Sequence, residues 1–450
     1  MQEIRRYVEK NKDDIISDLR NLVKHPSISA QNVGMEECAA TLNGILRDAG
    51  VTSSIKKPED GNPIVIGEIK GSSDKTLLFY SHYDVQPVEP IEAWRYNPFS
   101  GVVADDKIHG RGAADSKGNV VAMIKAVKYY VDTVGEPPVN IKFLIEGEEE
   151  ISSVNLPKFV EDNKDRLKAD ATVCFDGSLN QKGAASIYAG LKGMLYVELR
   201  CRTASVDMHS GLAPIVPNPA WRLLKALQTI RNDAGKIMID KWYDDVKVPT
   251  KEDLALLRKL DYDEKMIMVE YGIKGLINNV KGKTALKKLL FDPTCNIAGI
   301  HAGYTGPGSK TVLPSMAYAK LDFRLVYDQD PDKLIMLIRK HLDKEGFKDI
   351  ELYKFGSLKP SKTSPKAKII NAASIAAKET FGLEPSIFPN MWGSGPDFVF
   401  TKILQQESIW TGCSPAYANI HAPNEFTGIR NVLDGVCYAA MIMQEFSKLD

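Results

Sequence analysis

The sequence predicts an α/β protein: a discontinuous catalytic domain with a mostly parallel sheet flanked by helices, interrupted by an inserted α+β domain. Three observations predict it. Apolar strand-like runs alternate with helical patterns over the first 190 residues. Near Gly190 the pattern changes to alternating strands and charged helices, and from about residue 360 the earlier style returns. A length of 450 residues also exceeds one ordinary core.

The elements follow in order. Ile4, Val8, Ile15, Ile16, Leu19 and Leu22 recur at helical spacing and predict an N-terminal structural helix that lacks the apolar core of a signal peptide. "PIVIGEI" and "KTLLFYSHYD" read as strands, "NVVAMIKAVKYYVDTV" as a long helix, "NIKFLIEG" as a strand, "LPKFVEDN" as a short helix and "DATVCFD" as a strand. Past Gly190, "GMLYVELRCRT" alternates as a half-buried strand. Asn218 and Pro219 predict an N-cap and first turn for the helix in "PNPAWRLLKALQTIRND". Residues 250–290 read as charged helix. "MAYAKLDFRLV" and "DIELYKF" read as strands around the helix "PDKLIMLIRKHLDKEG". "SPKAKIINAASIAAKETFG" and "NVLDGVCYAAMIMQEFSKL" are long helices flanking short strands. The expected division is 1–189 and 358–450 for the discontinuous domain and 190–357 for the insert.

Composition excludes several classes. Lysine plus arginine equals aspartate plus glutamate at 58 each, so electrostatics give no case for nucleic acid or a membrane surface as partner. No run approaches the ~18 apolar residues of a membrane span. The six cysteines are scattered without a CxxC pair, which predicts reduced thiols filling the core of a cytoplasmic protein.

The chemistry gathers at strand ends. "FLIEGEEEISS" closes an apolar run with Glu146, Glu148, Glu149 and Glu150, a crowd of like charges that is either a solvated loop or a site holding cations. In "FYSHYDV", His82 and Asp84 share one face of an extended segment, where the carboxylate can fix the imidazole tautomer. Asp115, in "GRGAADSKGN", precedes a helix and reads as a site acid or as an N-cap. Asp176 ends a strand before Gly177 and reads as a site acid or as a turn Asp-Gly. His25 and His341 look like surface residues, His109 like a turn residue, and His301 is ambiguous; His209 and His421 stand out with His82. Acids from several strand ends converge on the edge where open parallel sheets collect catalytic groups. With histidine added, such a set suits Zn²⁺, Mn²⁺ or Co²⁺, and a shared carboxylate allows a two-metal arrangement.

"SHYDVQP", "GRGAADSKG", "EGEEEISS", "CFDG", "DMHSG", "KTVLP" and "NIHAPNEF" occur in this order. Together they resemble the co-catalytic metallopeptidase family of carboxypeptidases, aminoacylases and desuccinylases, in its carnosinase-like, cytosolic nonspecific dipeptidase branch. The resemblance implies two divalent metal ions per subunit, Zn²⁺ first, with Mn²⁺ or Co²⁺ as alternatives. It implies His82, Asp115, Glu150, Asp176 and His421 as metal ligands, with Asp115 shared. It implies Asp84 as the group that orients His82, and Glu149 as the general base. Glu148 leaves a second register open; aligning Glu146-Gly147 and Ser153 with the family pattern selects Glu149 and Glu150. The insert resembles the family's lid and dimerisation domain. His209 matches a histidine that reaches a partner subunit's site, and Arg324 an arginine that pairs with a substrate carboxylate. Gly393 and Ser394, in "WGSGPD", offer free backbone N–H groups for the same carboxylate, although "WGSGP" departs from the usual form.

The implied function is hydrolysis of dipeptides or short peptides by a cytoplasmic homodimer. An N-acyl-amino-acid deacylase or a C-terminal exopeptidase is the alternative within the family, and a non-catalytic binding protein is the alternative outside enzymology.

Overall fold

Four parallel strands form the centre of the main sheet: Asn140–Glu146, Thr76–His82, Ala171–Phe175 and Glu407–Thr411, side by side in that order. The structure, a computed structural model, describes residues 1–449. Ile64–Ile69 and then Thr52–Lys56 extend the sheet antiparallel on one side. Ser186–Tyr188, antiparallel to its neighbour, and Ser386–Phe388 complete eight strands on the other. The central strands are rich in apolar residues because both faces are covered. Phe79 lies fully buried between Phe143 and Phe175, with ring centroids 6.0 and 6.4 Å away. Helix Ile429–Ser447 packs against both Lys117–Thr133 and Lys368–Phe381. The buried residues of Lys117–Thr133 run almost all round the helix, which is why its sequence lacks a polar face.

By internal contacts the chain divides into two units, Met1–Gly190 with Lys362–Pro389 and Pro396 onward, and Leu191–Ser361 with Asn390–Gly395. The second unit has its own four-stranded antiparallel sheet, in the order Thr294–Ala302, Met316–Leu325, Gly193–Arg202, Ile350–Leu358. Met316–Leu325 alternates strictly between half-buried and buried positions, and the buried side carries Leu321 and Phe323 onto Leu223, Ile338 and Trp242. Asn218 caps helix Pro219–Ile230 as expected, its side chain accepting from the Ala220 N–H at 2.8 Å.

Four details differ from expectation. The N-terminal helix is two, Gln2–Lys10 and Lys12–Val23, broken at Asn11, whose side-chain amide donates back to the Tyr7 carbonyl at 2.8 Å. Strand Thr294–Ala302 carries no alternation because it is an edge, exposed along most of its length and bulged between Ile297 and Gly299. His341 is a core residue, buried with Nε2 3.0 Å from the Thr229 hydroxyl, and burial pushes its imidazole pKa down. The expected return to the first domain at 358 is interrupted, because residues 390–395 cluster with the insert.

Gly177 and Gly412 are where two parallel strands leave the sheet in close contact. A Cβ on Gly412 would lie 2.3 Å from the Gly177 carbonyl oxygen and 2.4 Å from its nitrogen. Gly177 therefore serves close approach, not a turn. Gly412→Ala is expected to lose about 1–3 kcal/mol by overpacking against backbone that cannot yield. Gly44 lies exposed inside helix Met35–Asp48, and a Cβ added there would meet nothing within 4 Å. Gly44→Ala is therefore expected to gain about 0.5–1 kcal/mol. Denaturant titration of both variants beside the parent checks the pair; equal midpoints would refute it.

Candidate metal centre

All the predicted acids and imidazoles of the first unit except Asp84 and Glu149 fall into two overlapping groups: His82, Asp115 and Asp176, and Asp115, Glu150 and His421. Within each group the potential ligand atoms lie within 4.8 Å of one another. Asp115 divides its carboxylate between them. Its Oδ1 is 3.0 Å from His82 Nε2, and its Oδ2 is 3.1 Å from His421 Nε2. Asp176 Oδ1 is 3.5 Å from His82 Nε2, and Glu150 Oε2 is 3.1 Å from His421 Nε2.

Each side chain is delivered by a local feature. His82 is the last residue of its strand, fully buried, with Nδ1 3.1 Å from the Asp84 carbonyl oxygen and 3.3 Å from Asp84 Oδ1. Those contacts leave Nε2 as the nitrogen facing Asp115 and Asp176. Asp84 also accepts from the next loop: Oδ1 from the Glu149 N–H at 3.2 Å and Oδ2 from the Glu150 N–H at 3.1 Å. These two N–H groups open the 3₁₀ turn Glu149–Ile151, which left-handed Ser152 and Ser153 complete. Asp176 leaves its strand with its N–H on the Thr411 carbonyl at 2.8 Å, so the neighbouring strand sets its position. Asp115 sits just before helix Lys117–Thr133, but Ser116 holds the N-cap position and the Asp115 carboxylate turns to the histidines. His421 is half exposed and left-handed, at φ 61°, in a loop that also holds Asn419 and Asn424 at positive φ.

The glutamates divide. Glu148 is buried away from the two groups: Oε1 accepts from the Asn62 N–H at 2.8 Å, and Oε2 from the Asn155 N–H at 3.0 Å. Glu146 is buried below the turn, accepting from Tyr80 Oη at 2.7 Å and Ser153 Oγ at 2.9 Å, and burial pushes its carboxyl up to about 8. Glu149 belongs to neither ligand group but feels both. Burial, then the charges of Asp176, Glu150 and Asp115, hold its carboxyl well above the usual range, against the pull of His82. Burial also raises Glu150 and Asp176, with Asp115 adding to both. Burial works to raise Asp115 too, but hydrogen bonds from His421 and His82 outweigh it and hold that carboxyl well below its usual range. Hydrogen bonds to Asp115 and Glu150 push His421 up to about 10.

These residues fit divalent cations. Ligands at about 2.0–2.1 Å from a tetrahedral metal stand roughly 3.3 Å apart; the N···O separations here run from 3.0 to 3.5 Å. Positive charge in both groups would draw the raised acids back toward ionisation.

Four predicted residues lie in the second unit. His209 is exposed, and its Nδ1 accepts from the Gly211 N–H at 3.0 Å, so its neutral ring carries the proton on Nε2. "DMHSG" and "KTVLP" meet there: Met208 pairs with Leu313 and His209 with Val312. Arg324 Nη1 donates to Ser394 Oγ at 2.8 Å, and the Gly393 carbonyl accepts from the Lys192 N–H at 3.0 Å, so the structure brings Arg324, Gly393 and Ser394 together.

Two residues near the centre lie outside what the sequence predicts. Gln86 donates its amide to Glu150 Oε2 at 2.9 Å. Glu425 is fully buried and accepts four donors from the Asp115 loop. Both stand inside the quoted motifs "SHYDVQP" and "NIHAPNEF", but neither residue type announces chemistry by itself.

A family model described as Peptidase family M20/M25/M40 matches residues 78–445. The Beta-Ala-His dipeptidase of Homo sapiens is 27% identical over 487 residues, covering 100% of this chain and 93% of that protein. The Cys-Gly metallodipeptidase DUG1 of Saccharomyces cerevisiae is 29% identical over 411 residues, covering 88% of this chain and 84% of that protein. The M20 family metallo-carboxypeptidase Sso-CP2 from Sulfolobus solfataricus superposes with a TM-score of 0.92 at 39% identity, covering 97% of this chain and 99% of that one. With its matched region spanning most of its length, the chain belongs to the peptidase family M20/M25/M40.

Proposed function

We propose that this protein is a metal-dependent dipeptidase that hydrolyses the amide bond of dipeptides or short peptides. The observation that carries the reading is Asp115, which turns one carboxylate oxygen to each of two histidine–carboxylate groups. In this reading His82, Asp115 and Asp176 hold one divalent cation, and Asp115, Glu150 and His421 the second. Such cations supply Lewis acidity toward an amide carbonyl and toward water. The oxygen-rich donor set with one imidazole in each group suits Zn²⁺, with Mn²⁺ or Co²⁺ as alternatives.

The chain's own residues do the rest. Glu149 takes a proton from the attacking water and passes it to the leaving amine as the C–N bond breaks. Its place among the charges, yet outside both ligand groups, supports that role. Asp84 keeps His82 oriented. His209, with Nε2–H free to donate, stabilises the oxygen of the carbonyl under attack. Arg324 and Ser394, with the Gly393 backbone, bind the substrate's terminal carboxylate.

The reading includes a homodimer formed through the insert, which acts as lid and dimerisation domain, with His209 serving the centre of the second copy. Edge strand Thr294–Ala302 supports it, since it exposes Ile297 and Ile300 beside an unpaired backbone. Six unpaired cysteines support a cytoplasmic location, and no helix among the described residues is long and apolar enough to cross a membrane. The 39% identical metallo-carboxypeptidase favours one second reading, a C-terminal exopeptidase that accepts longer peptides.

Chelation, a substrate panel and two substitutions test the proposal. Chelation should abolish hydrolysis, and returning Zn²⁺, Mn²⁺ or Co²⁺ should restore it. On a panel of dipeptides, N-acyl-amino acids and longer peptides, dipeptides should be cleaved best. Preference for longer peptides would move the assignment to the exopeptidase, and preference for acyl-amino acids to the deacylase.

Glu149→Ala should bind the metals of the parent while kcat falls by at least about 10²–10⁴. Turnover at the parent rate would remove Glu149 from the proton transfer.

His209→Ala should lower kcat by about 10²–10³, the scale of a lost oxyanion donor. Mixing it with the Glu149 variant under subunit exchange should restore part of the activity. No recovery in a verified heterodimer would refute a site shared between subunits.

A further inference from the structure

Glu425 is a buried carboxylate four residues beyond His421, and the proposed metal ligation does not use it. Its Oε2 accepts from Arg111 Nη1 at 2.8 Å and from the Gly112 N–H at 3.0 Å. Its Oε1 accepts from the N–H groups of Ala114 at 3.0 Å and Asp115 at 3.1 Å. Its own carbonyl accepts from the Gly110 N–H at 3.0 Å. The loop from Gly110 to Asp115 is thus wrapped around a single residue, and left-handed Gly112, at φ 84°, turns the chain for it.

We propose that Glu425 is a positioning residue for the metal centre, fixing the Asp115 loop and the His421 loop to each other so that one carboxylate can serve both ligand groups. The proposal rests on the metal-centre reading above. The geometry supports it in three ways. The Asp115 N–H is itself one of the donors, so the clamp acts on the residue that both groups share. Only an ionised carboxylate matches the set: four donors converge on two oxygens, and an amide would turn an N–H₂ toward at least one N–H. His421 is half exposed in a left-handed loop, and Glu425 continues that loop directly into the strand Phe426–Gly428, which pairs with Lys107–His109 just before the Asp115 loop. The same chain segment therefore holds both sides of the second ligand group in register. Glu425 touches no ligand atom of either group; it acts through the backbone that carries them.

The test uses full-length protein stripped with a chelator and titrated with Zn²⁺ and with Mn²⁺ by calorimetry, with bound metal counted by elemental analysis. The parent should bind two ions per chain. Glu425→Gln should keep a parent-like circular dichroism spectrum and bind metal about 10–100-fold more weakly, the scale for groups that orient ligands. At saturating metal its kcat should recover while KM for a dipeptide stays unchanged, a split that general loss of structure would not produce. Glu425→Asp keeps the charge on a shorter arm and should fall between the two. It carries the same comparison if the glutamine variant does not fold. Parent-like metal affinity in a folded Glu425→Gln, or in Glu425→Asp when glutamine does not fold, would overturn the proposal while leaving the metal centre intact. A parent that binds no ions would overturn the metal-centre reading itself.

Discussion

Asp84 is the constraint on which the centre depends. A fully buried carboxylate can remain only where donors meet it, and here the donors are the parts of the site. One oxygen faces the His82 ring, and both oxygens hold the backbone of the Glu149–Ile151 turn. Adjacent residues on a strand point to opposite faces, so Glu149 and Glu150 cannot serve one site from an extended chain. The chain leaves the strand at Glu146, and Asp84 fixes the turn that follows. The imidazole of one strand and two carboxylates of its neighbour thus share a single anchor. Removing that carboxylate would orphan two N–H groups at once and leave the ring held on this side by the Asp84 backbone carbonyl alone, 3.1 Å from Nδ1.

The charge distribution follows from that compression. Burial raises Glu149, Glu150 and Asp176, and only Asp115, hydrogen-bonded by both histidines, is held low. Buried like charges this close are frustrated: burial raises three of the acids, while the carboxylates beside them raise His82 and His421. Such frustration is tolerated where the surrounding structure over-determines geometry. The sheet beneath provides that, with Phe79, Phe143 and Phe175 filling its centre. Cations held there would relieve the like-charge repulsion, and binding them would also stabilise the fold by linkage.

Legibility in the sequence tracks how directly a residue's role shows in its type and spacing. Strand ends with acids are readable because apolar runs of the right length stop at His82, Glu146 and Asp176. The alternation in "MAYAKLDFRLV" reveals strand and face together. The edge strand at 294–302 is not readable, since periodicity reports burial on one face and this strand has little. His341 misleads because flanking lysines suggest water, while the helix turns the imidazole itself into the core. Glu425 and Gln86 stay hidden because they act on backbone and on other side chains. Their meaning lies in partners more than 60 residues away in sequence. Glu148 is the subtler case: its neighbours are acids like itself, and only Asn62 and Asn155 distinguish it.

The proposed ligand set spans the insertion: His82, Asp115, Glu150 and Asp176 precede it, and His421 follows. Completing the centre requires the chain to return after roughly 170 residues. Loop-closure entropy makes this cheaper than it looks. Growing a connection from ~10 to ~170 residues is about four doublings, or roughly 2.5 kcal/mol. The first unit answers that cost at the point of departure, where the Thr363 N–H reaches the Ala189 carbonyl at 2.6 Å. The returning chain then lays Glu407–Thr411 in register beside Ala171–Phe175, and the Thr411 carbonyl takes the Asp176 N–H. A proposed ligand from before the insertion is therefore positioned by a strand from after it. The pairing that seats Glu407–Thr411 beside Ala171–Phe175 also supplies the carbonyl that holds the Asp176 N–H, so in this unit the position of Asp176 depends on chain from both sides of the insertion.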